Sequence, residues 1–277
     1  MTTNRRQIEK ARAFRKMHDR SGVLLLPNAW DAGSARLFAS RGFAAIATTS
    51  GGVAWSLGYA DGEQAPCDEV LAAIARIVRV IELPVTADIE AGYGDTAAAV
   101  GETVRAVVEA GAVGINLEDS LHGGLRDRAE AAERIAAARE AAAGTGVPIV
   151  INARVDAWMR PAADDAARFA DAVDRARAYL AAGADCVYPI GLGDAGVLQA
   201  FVRELDAPVN VGARPGMPGL DELARIGVAR VSMATRLATI ALGAADVAAQ
   251  AARSSGCFDG LESSLGHADA QRLFTQG

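Results

Sequence analysis

Eight short runs of β-branched and other apolar residues recur along the chain at intervals of roughly 20 to 40 residues. They are VLLLP (23–27), FAAIATTS (43–50), LPVTADIE (83–90), AVGINLED (112–119), VPIVINARVD (147–156), ADCVYPIG (184–191), APVNVGA (207–213) and VARVSMA (228–234). Each is near-continuously apolar rather than alternating, as expected of a strand buried on both faces. Between them lie Ala-rich segments with helical spacing. Val100, Val104, Val107 and Val108 fall on one helical face, and Gly111 supplies the stop after the last turn. The phrase AGA leads from helix into strand twice, at 110–112 and 182–184, a connection of the usual short length. Strand and helix alternating in this way predict a parallel sheet covered on both faces. Eight such units in about 250 residues suit a closed (β/α)8 TIM-type barrel better than an open doubly wound sheet. No G-x-G-x-x-G follows the first strand, where a dinucleotide fold needs it. The expected organisation is one α/β barrel domain over 1–277, with an extra amphipathic N-terminal helix in 1–22, the barrel in 23–255 and a helical tail in 256–277.

Composition narrows the partners. Of 277 residues 51% are hydrophobic, enough for a sizeable core, so disorder is not expected. A net charge of -6 and a pI near 5.2 argue against nucleic acid and anionic membrane surfaces, and point to a small molecule or another protein. Cys67, Cys186 and Cys257 are widely separated, without a C-x-x-C pair or a zinc spacing, and read as buried free thiols. The segment MTTNRRQIEK lacks the apolar core of a signal peptide. The longest apolar stretch, from Leu237, is interrupted by Asp246 and is too short to span a bilayer. A cytoplasmic location is expected.

In an α/β barrel the chemistry sits at the C-terminal ends of the strands. Strand two ends in Thr48, Thr49, Ser50, Gly51 and Gly52, strand three in Asp88 and Glu90, and strand four in Asn116, Glu118 and Asp119. Strand five ends in Asn152, Arg154 and Asp156, strand seven in Asn210, and strand eight in Ser232. Because strand side chains alternate, Asp88 and Glu90 are expected to point the same way, as are Asn116 with Glu118 and Asn152 with Arg154. Asp88, Glu90 and Glu118 would then converge on one mouth, and three carboxylates that close repel unless a cation or protonation relieves them. An all-oxygen cluster without a His or Cys ligand suits a hard ion, Mg²⁺ or Mn²⁺. The competing reading is that these acids pair with arginines or cap the following helices. Arg154 reads either as a bidentate clamp for a substrate carboxylate or phosphonate, or as compensation for the acids. Ser50, Gly51 and Gly52 read as a Gly-rich turn whose backbone N–H groups can face an anionic oxygen.

The segments TTSGGVAWSLGYADGE, ADIEAGYG, GINLEDS, INARVDAW and GVARVSM, in this order, resemble the isocitrate lyase/phosphoenolpyruvate mutase superfamily. The resemblance runs from LPNAWDAGSARLF to the eighth strand, nearly the whole chain. It implies a modified barrel whose eighth helix is swapped onto a neighbouring subunit, giving homodimers or homotetramers. It also implies Mg²⁺ and a small 2-oxo or 2-hydroxy carboxylic acid, with a C–C or P–C bond cleaved or formed next to an enolate. On the matching positions, Asp61, Asp88, Glu90 and Glu118 look like the family's metal-site acids, Glu90 standing where many members have Asp. Ser50, Gly51 and Gly52 look like the enolate cradle and Arg154 like the substrate-binding arginine, and Asn210 is a further candidate for substrate contact. The family's lyases carry a Lys-Arg/Lys-Cys-Gly-His loop after strand four, and its mutases a Lys-Thr-Asn loop. Here the stretch reads EDSLHGGLRDRAE, without Lys or Cys, and offers His122, Arg126 and Arg128 instead. His122 is the candidate acid or base. The expected function is Mg²⁺-dependent bond cleavage of the lyase or decarboxylase type. A phosphonomutase, or a barrel that binds a 2-oxo acid without turnover, are the alternatives.

Overall fold

The computed structural model of the chain describes residues 2–121, 123–162, 164–263 and 265–275. All eight expected strands are present: β1 (Leu24–Leu26), β2 (Ile46–Thr48), β3 (Val85–Asp88), β4 (Gly114–Glu118), β5 (Val150–Val155), β6 (Cys186–Pro189), β7 (Asn210–Gly212) and β8 (Arg230–Ser232). They form parallel ladders in chain order from β2 to β6. Closure uses three smaller contacts. A bridge between Val187 and Val209 links β6 to β7, while β8 pairs with both β7 and β1. Pro27, which has no N–H to give, marks where the chain leaves β8 and takes up β2 through the short strand Asn28–Ala29. The strands are brief, so each places only one or two side chains at the mouth of the barrel.

The helices follow the sequence periodicity. In α5 (Ala97–Glu109) Val100, Val104, Val107 and Val108 are the buried stripe, and Gly111 turns the chain with φ +97°. Its predecessor α4 (Cys67–Arg79) buries Val70, Ala73, Ile74 and Ile77, with Asp68 and Glu69 in the first turn and Arg76 and Arg79 in the last. That charge order complements the helix dipole.

The N-terminal helix, α1 (Thr2–Lys16), lies against the strand starts. Gln7 donates to the carbonyls of Val108 and Ala112, and Arg15 to that of Ile149 at 2.8 Å. Arg15 and Arg139 both pair with Asp185, which also accepts the Ile151 amide at 2.8 Å. Phe14 is fully buried and packs beside two polar side chains of the interior. The His18 ring meets it edge-on at 4.9 Å, and the Arg230 guanidinium carbon lies 6.0 Å from its centroid. Arg230 is itself fully buried and donates to Asn116 Oδ1 at 3.2 Å.

After β8 the chain enters α10 (Arg236–Ser255), in which Ala238 alone is buried among the described residues. Ile240 (65% exposed) and Val247 (70%) stand in solvent on this single chain. A last helix, α11 (His267–Thr275), returns to α2 (Ala32–Ser40). No described helix is long and apolar enough to cross a membrane. The cysteine expectation needs correction. All three thiols are free, but only Cys186 is buried, Cys67 is half-buried and Cys257 is exposed in the segment after α10.

His18 supplies a pH test of this packing. Its Nδ1 faces the Phe14 carbonyl at 2.9 Å, and burial, reinforced by Arg230, lowers its pKa to about 4. Between the ordinary histidine value and 4, the unfolded chain binds a proton that the folded one does not, so stability falls as pH drops. Across that window His18 accounts for about 3 kcal/mol. Urea unfolding of the parent and of His18→Gln at pH 7 and pH 4 should show their difference in stability shrinking by that order.

Candidate active site

Asp88 ends β3 and Ser50 opens α3 (Ser50–Leu57), so the second and third strand ends meet directly. The Ser50 amide donates to Asp88 Oδ2 at 3.2 Å, and Thr48 Oγ1 accepts the Asp88 amide at 2.8 Å. The expected Gly-rich turn is in fact the first turn of a helix, where backbone donors lack intrahelical partners. The Gly51 and Gly52 amides make no hydrogen bond to the described residues. Close packing requires glycine at both positions. A Cβ on Gly51 would stand 3.0 Å from Asp61 Oδ2 and 2.9 Å from Thr235 Cγ2, and one on Gly52 would stand 2.7 Å from Thr49 Cγ2. Asp61 itself is exposed on the loop after α3, and its carboxylate borders that first turn.

Glu90 departs from the expected alternation. The strand stops at Asp88, and Glu90 has φ +51°, so its side chain is not the next member of a β-strand face. It is buried, and its carboxylate accepts from Tyr93 Oη at 2.8 Å and from the Glu63 amide at 2.7 Å. Glu63 returns the contact by accepting the Tyr93 amide at 2.7 Å. Glu63 and Tyr93 also lie in the left-handed region, with φ of +56° and +53°. Three non-glycine residues in that conformation are held by one another's hydrogen bonds, which offset the backbone strain. Burial pushes the Glu90 carboxyl up to about 7, against the Tyr93 hydrogen bond.

Register explains the next pair. Glu118 on β4 lies opposite Arg154 on β5, and the two side chains form an ion pair. Arg154 also grips Asp156 with two bonds, Nε to Oδ1 and Nη2 to Oδ2, each 2.7 Å. Burial alone would favour the neutral guanidine, but Glu118 and Asp156 more than offset it and hold Arg154 firmly charged. Burial likewise raises the Asp88 and Glu118 carboxyls, with Arg154 opposing the shift in both. Arg154 therefore fills the compensating role expected of it. It compensates the acids with three of its N–H groups, and of the five that a guanidinium carries two remain.

Asn210 stands apart from the mouth. It begins β7 rather than ending it, is fully buried, and donates to Ser232 Oγ at 3.2 Å. Asn116 and Asn152 are buried and joined side chain to side chain at 2.8 Å. Asp119 is a structural anchor, accepting from the Asp156 amide, Tyr179 Oη and Arg175. His122 lies outside the described residues. Residues that the strand-end rule does not reach also enter the site. Tyr93 and Glu63 come from loops, and Tyr188 fills the interior so closely that a Cβ on Gly212 would meet its hydroxyl at 2.6 Å.

Among the described residues no group of three or more His, Cys, Asp or Glu is arranged to cage a metal. The expected convergence of Asp88, Glu90 and Glu118 is corrected accordingly. The left-handed turn diverts Glu90 to Tyr93 and Glu63, and Arg154 draws off Glu118. Magnesium nevertheless fits the donor set, because it keeps several waters and needs only one or two carboxylates. Every candidate donor is oxygen, and the buried carboxyls of Asp88, Glu90 and Glu118 would be relieved by positive charge.

Comparison with known proteins agrees with this fold. The family model described as phosphoenolpyruvate phosphomutase matches residues 14–253. An uncharacterised protein of Mycobacterium tuberculosis is 35% identical over 260 residues, covering 94% of this chain and 95% of its own. The 2-methylisocitrate lyase of Escherichia coli is 31% identical over 208 residues, covering 72% of this chain and 68% of the relative. A candidate lyase/mutase from Burkholderia cenocepacia superposes with a TM-score of 0.90 at 41% identity, over 98% of this chain and 97% of the other. Phosphonopyruvate hydrolase, solved with oxalate and Mg²⁺, shares the fold at a TM-score of 0.83 and 24% identity, over 95% of this chain and 94% of the other.

The Glu63–Glu90–Tyr93 latch yields a prediction. Tyr93→Phe removes the hydroxyl that donates to a buried carboxylate and should destabilise the fold by about 1–3 kcal/mol, read from the urea midpoint. An unchanged midpoint would show that the latch contributes nothing.

Proposed function

This chain belongs to the phosphoenolpyruvate phosphomutase family, whose relatives here include lyases, and we propose that it cleaves a C–C or P–C bond of a small 2-oxo or 2-hydroxy acid through an enolate. One observation carries the reading. The Asp88 carboxylate lies at the start of α3, beside the free amides of Gly51 and Gly52. A carboxylate suited to a hard cation and a pair of helix N-terminal donors are thus adjacent, which is what a chelating 2-oxo acid requires.

Asp88 would hold Mg²⁺ directly, with Glu90 and Glu118 reaching it only through waters of its shell; Mn²⁺ suits the same oxygen donors. When bound, the ion supplies Lewis acidity at the 2-oxo and carboxylate oxygens. The chain's own groups do the rest. When the bond to C3 of a 2-oxo acid breaks, its electron pair delocalises towards the C2 oxygen, where the Gly51 and Gly52 amides meet the developing charge. The departing fragment leaves as CO2 or is captured by water, and a proton from solvent returns to C3. Ser50 fixes Asp88 through its amide, so acid and cradle keep one geometry. The two N–H groups left on Arg154 would take a substrate carboxylate, while Glu118 and Asp156 stop the guanidinium from swinging.

The exposed apolar residues of α10 support a second part of this proposal. Ile240, Leu242 and Val247 stand largely exposed among the described residues, and we propose that this helix is exchanged with a neighbouring copy to form a homodimer or homotetramer.

Two experiments test these readings. A panel of oxaloacetate, phosphonopyruvate, methylisocitrate and 2-oxoglutarate with Mg²⁺, followed for pyruvate and phosphate, should show cleavage of at least one member. Asp88→Asn should abolish that turnover and weaken Mg²⁺ binding by calorimetry; unchanged Mg²⁺ affinity removes Asp88 as a ligand. Val247→Glu should lower the mass seen in sedimentation, and a native mass would count against helix exchange.

A further inference from the structure

The mouth has a basic wall as well as an acidic one. Beside Glu90 and Glu118 lies a cavity of about 570 Å³ whose lining also includes Ser120, Arg126 and Arg160. Arg126 is only 7% exposed, with Nη1 on Glu130 Oε1 at 2.6 Å and a buried Nε that has no partner among the described residues. Arg160 is half-buried, its Nε is likewise buried and unpartnered, and its guanidinium makes no hydrogen bond or ion pair with a described residue. Four acids line the same cavity, Glu63, Glu90, Asp95 and Glu118, and none of them pairs with either arginine among the described residues. Glu118 is taken by Arg154, Glu90 by Tyr93 and the Glu63 amide, Glu63 accepts the Tyr93 amide, and Asp95 is exposed.

Both arginines are held in place by their backbones. The Arg126 amide donates to the Asp119 carbonyl at 2.8 Å, and its own carbonyl accepts from Arg175 Nη1 at 2.9 Å. Arg160 follows the short 3₁₀ turn Ala157–Met159 with φ -123° and ψ 152°, the extended conformation that Pro161 imposes on its predecessor. Buried guanidinium N–H groups without acceptors are costly, and an oxyanion relieves two at once.

We propose that Arg126 and Arg160 form an anion subsite that reads a second negative group of the substrate, a carboxylate or a tetrahedral oxyanion such as a phosphonate. This rests on the 2-oxo-acid reading above and deepens it. The first carboxylate and the 2-oxo group engage the Asp88 end, and the distal oxyanion engages the arginine end. The substrate class is then a dianionic 2-oxo acid rather than a monoanion such as pyruvate.

Calorimetry with Mg²⁺ tests the assignment with three probes. Oxalate has no distal group, 3,3-difluorooxaloacetate carries a distal carboxylate and sulfopyruvate a distal tetrahedral oxyanion. Arg160→Gln should leave oxalate within about twofold and weaken at least one of the other two by roughly tenfold or more, with Arg160→Lys in between. Whichever distal probe loses more identifies the preferred oxyanion. Equal losses for all three probes, or no loss for any, would overturn the subsite. A metal-free arm separates this proposal from the one it rests on. In EDTA, inorganic phosphate should slow phenylglyoxal modification of Arg160 in the parent protein, read by peptide mass mapping; absence of protection overturns the subsite. Protection without Mg²⁺-dependent oxalate binding would uphold the arginine pair and sink the metal reading instead.

Discussion

The site depends on how carboxylates are kept in a barrel mouth with little water. Arg154 is the central device. One guanidinium on β5 joins Glu118 across the β4–β5 register and Asp156 two residues along its own chain. Remove that charge and two half-buried or buried acids lose their counter-ion together, which is far more costly than losing a surface pair. Around it the rest is arranged by proximity. Asp88 leans on the Ser50 amide, Glu90 on Tyr93 and the Glu63 amide, and Asp119 on Tyr179 and Arg175. Each acid thus has a separate support, and that separation keeps them from closing into a cage. It also leaves Asp88 with the free α3 amides on one side and the arginine-lined cavity nearby.

Much of the architecture was legible from the chain alone, because it is written in apolar runs. The barrel strands bury both faces, so Ile46–Thr48 or Val150–Val155 stand out without reference to anything distant. Val100, Val104, Val107 and Val108 mark α5 for the same reason. The site was legible only as far as strand geometry persists. Asp88 is the last residue of β3, and the alternation rule fails one step later, where Glu90 turns left-handed. Nothing local in D-I-E-A-G-Y-G distinguishes a strand that continues from one that stops. The stop is fixed by a reciprocal contact with Glu63, 27 residues earlier. Ser50 to Gly52 misled in the other direction. Two glycines signal a turn, yet here they sit in the first turn of a helix, and they are glycine because Asp61, Thr235, Thr49 and Trp30 crowd the positions where side chains would stand. Asn210 reads as a strand end because β7 is only three residues long, so two residues of error move it from mouth to interior.

The loop after β4 is where this chain differs from the pattern it otherwise matches. Without Lys or Cys, that segment contributes Arg126 to the cavity wall and Asp127 as the cap of α6 (Arg128–Thr145). The chemistry available at the mouth is therefore dominated by fixed charges. Asp88 meets the first-turn amides of α3, while Arg126 and Arg160 line a cavity together with Glu63, Glu90, Asp95 and Glu118. Such an arrangement is consistent with the small, multiply charged acid proposed as substrate.

In the reading proposed above, Asp88 is the carboxylate around which a hard cation and a 2-oxo acid assemble. A crystal grown with Mn²⁺ and oxalate, measured at the manganese absorption edge, puts this to the test. One anomalous peak in contact with an Asp88 oxygen is expected, with oxalate between the metal and the first turn of α3. A peak elsewhere, or oxalate bound with no metal at Asp88, would overturn the assignment.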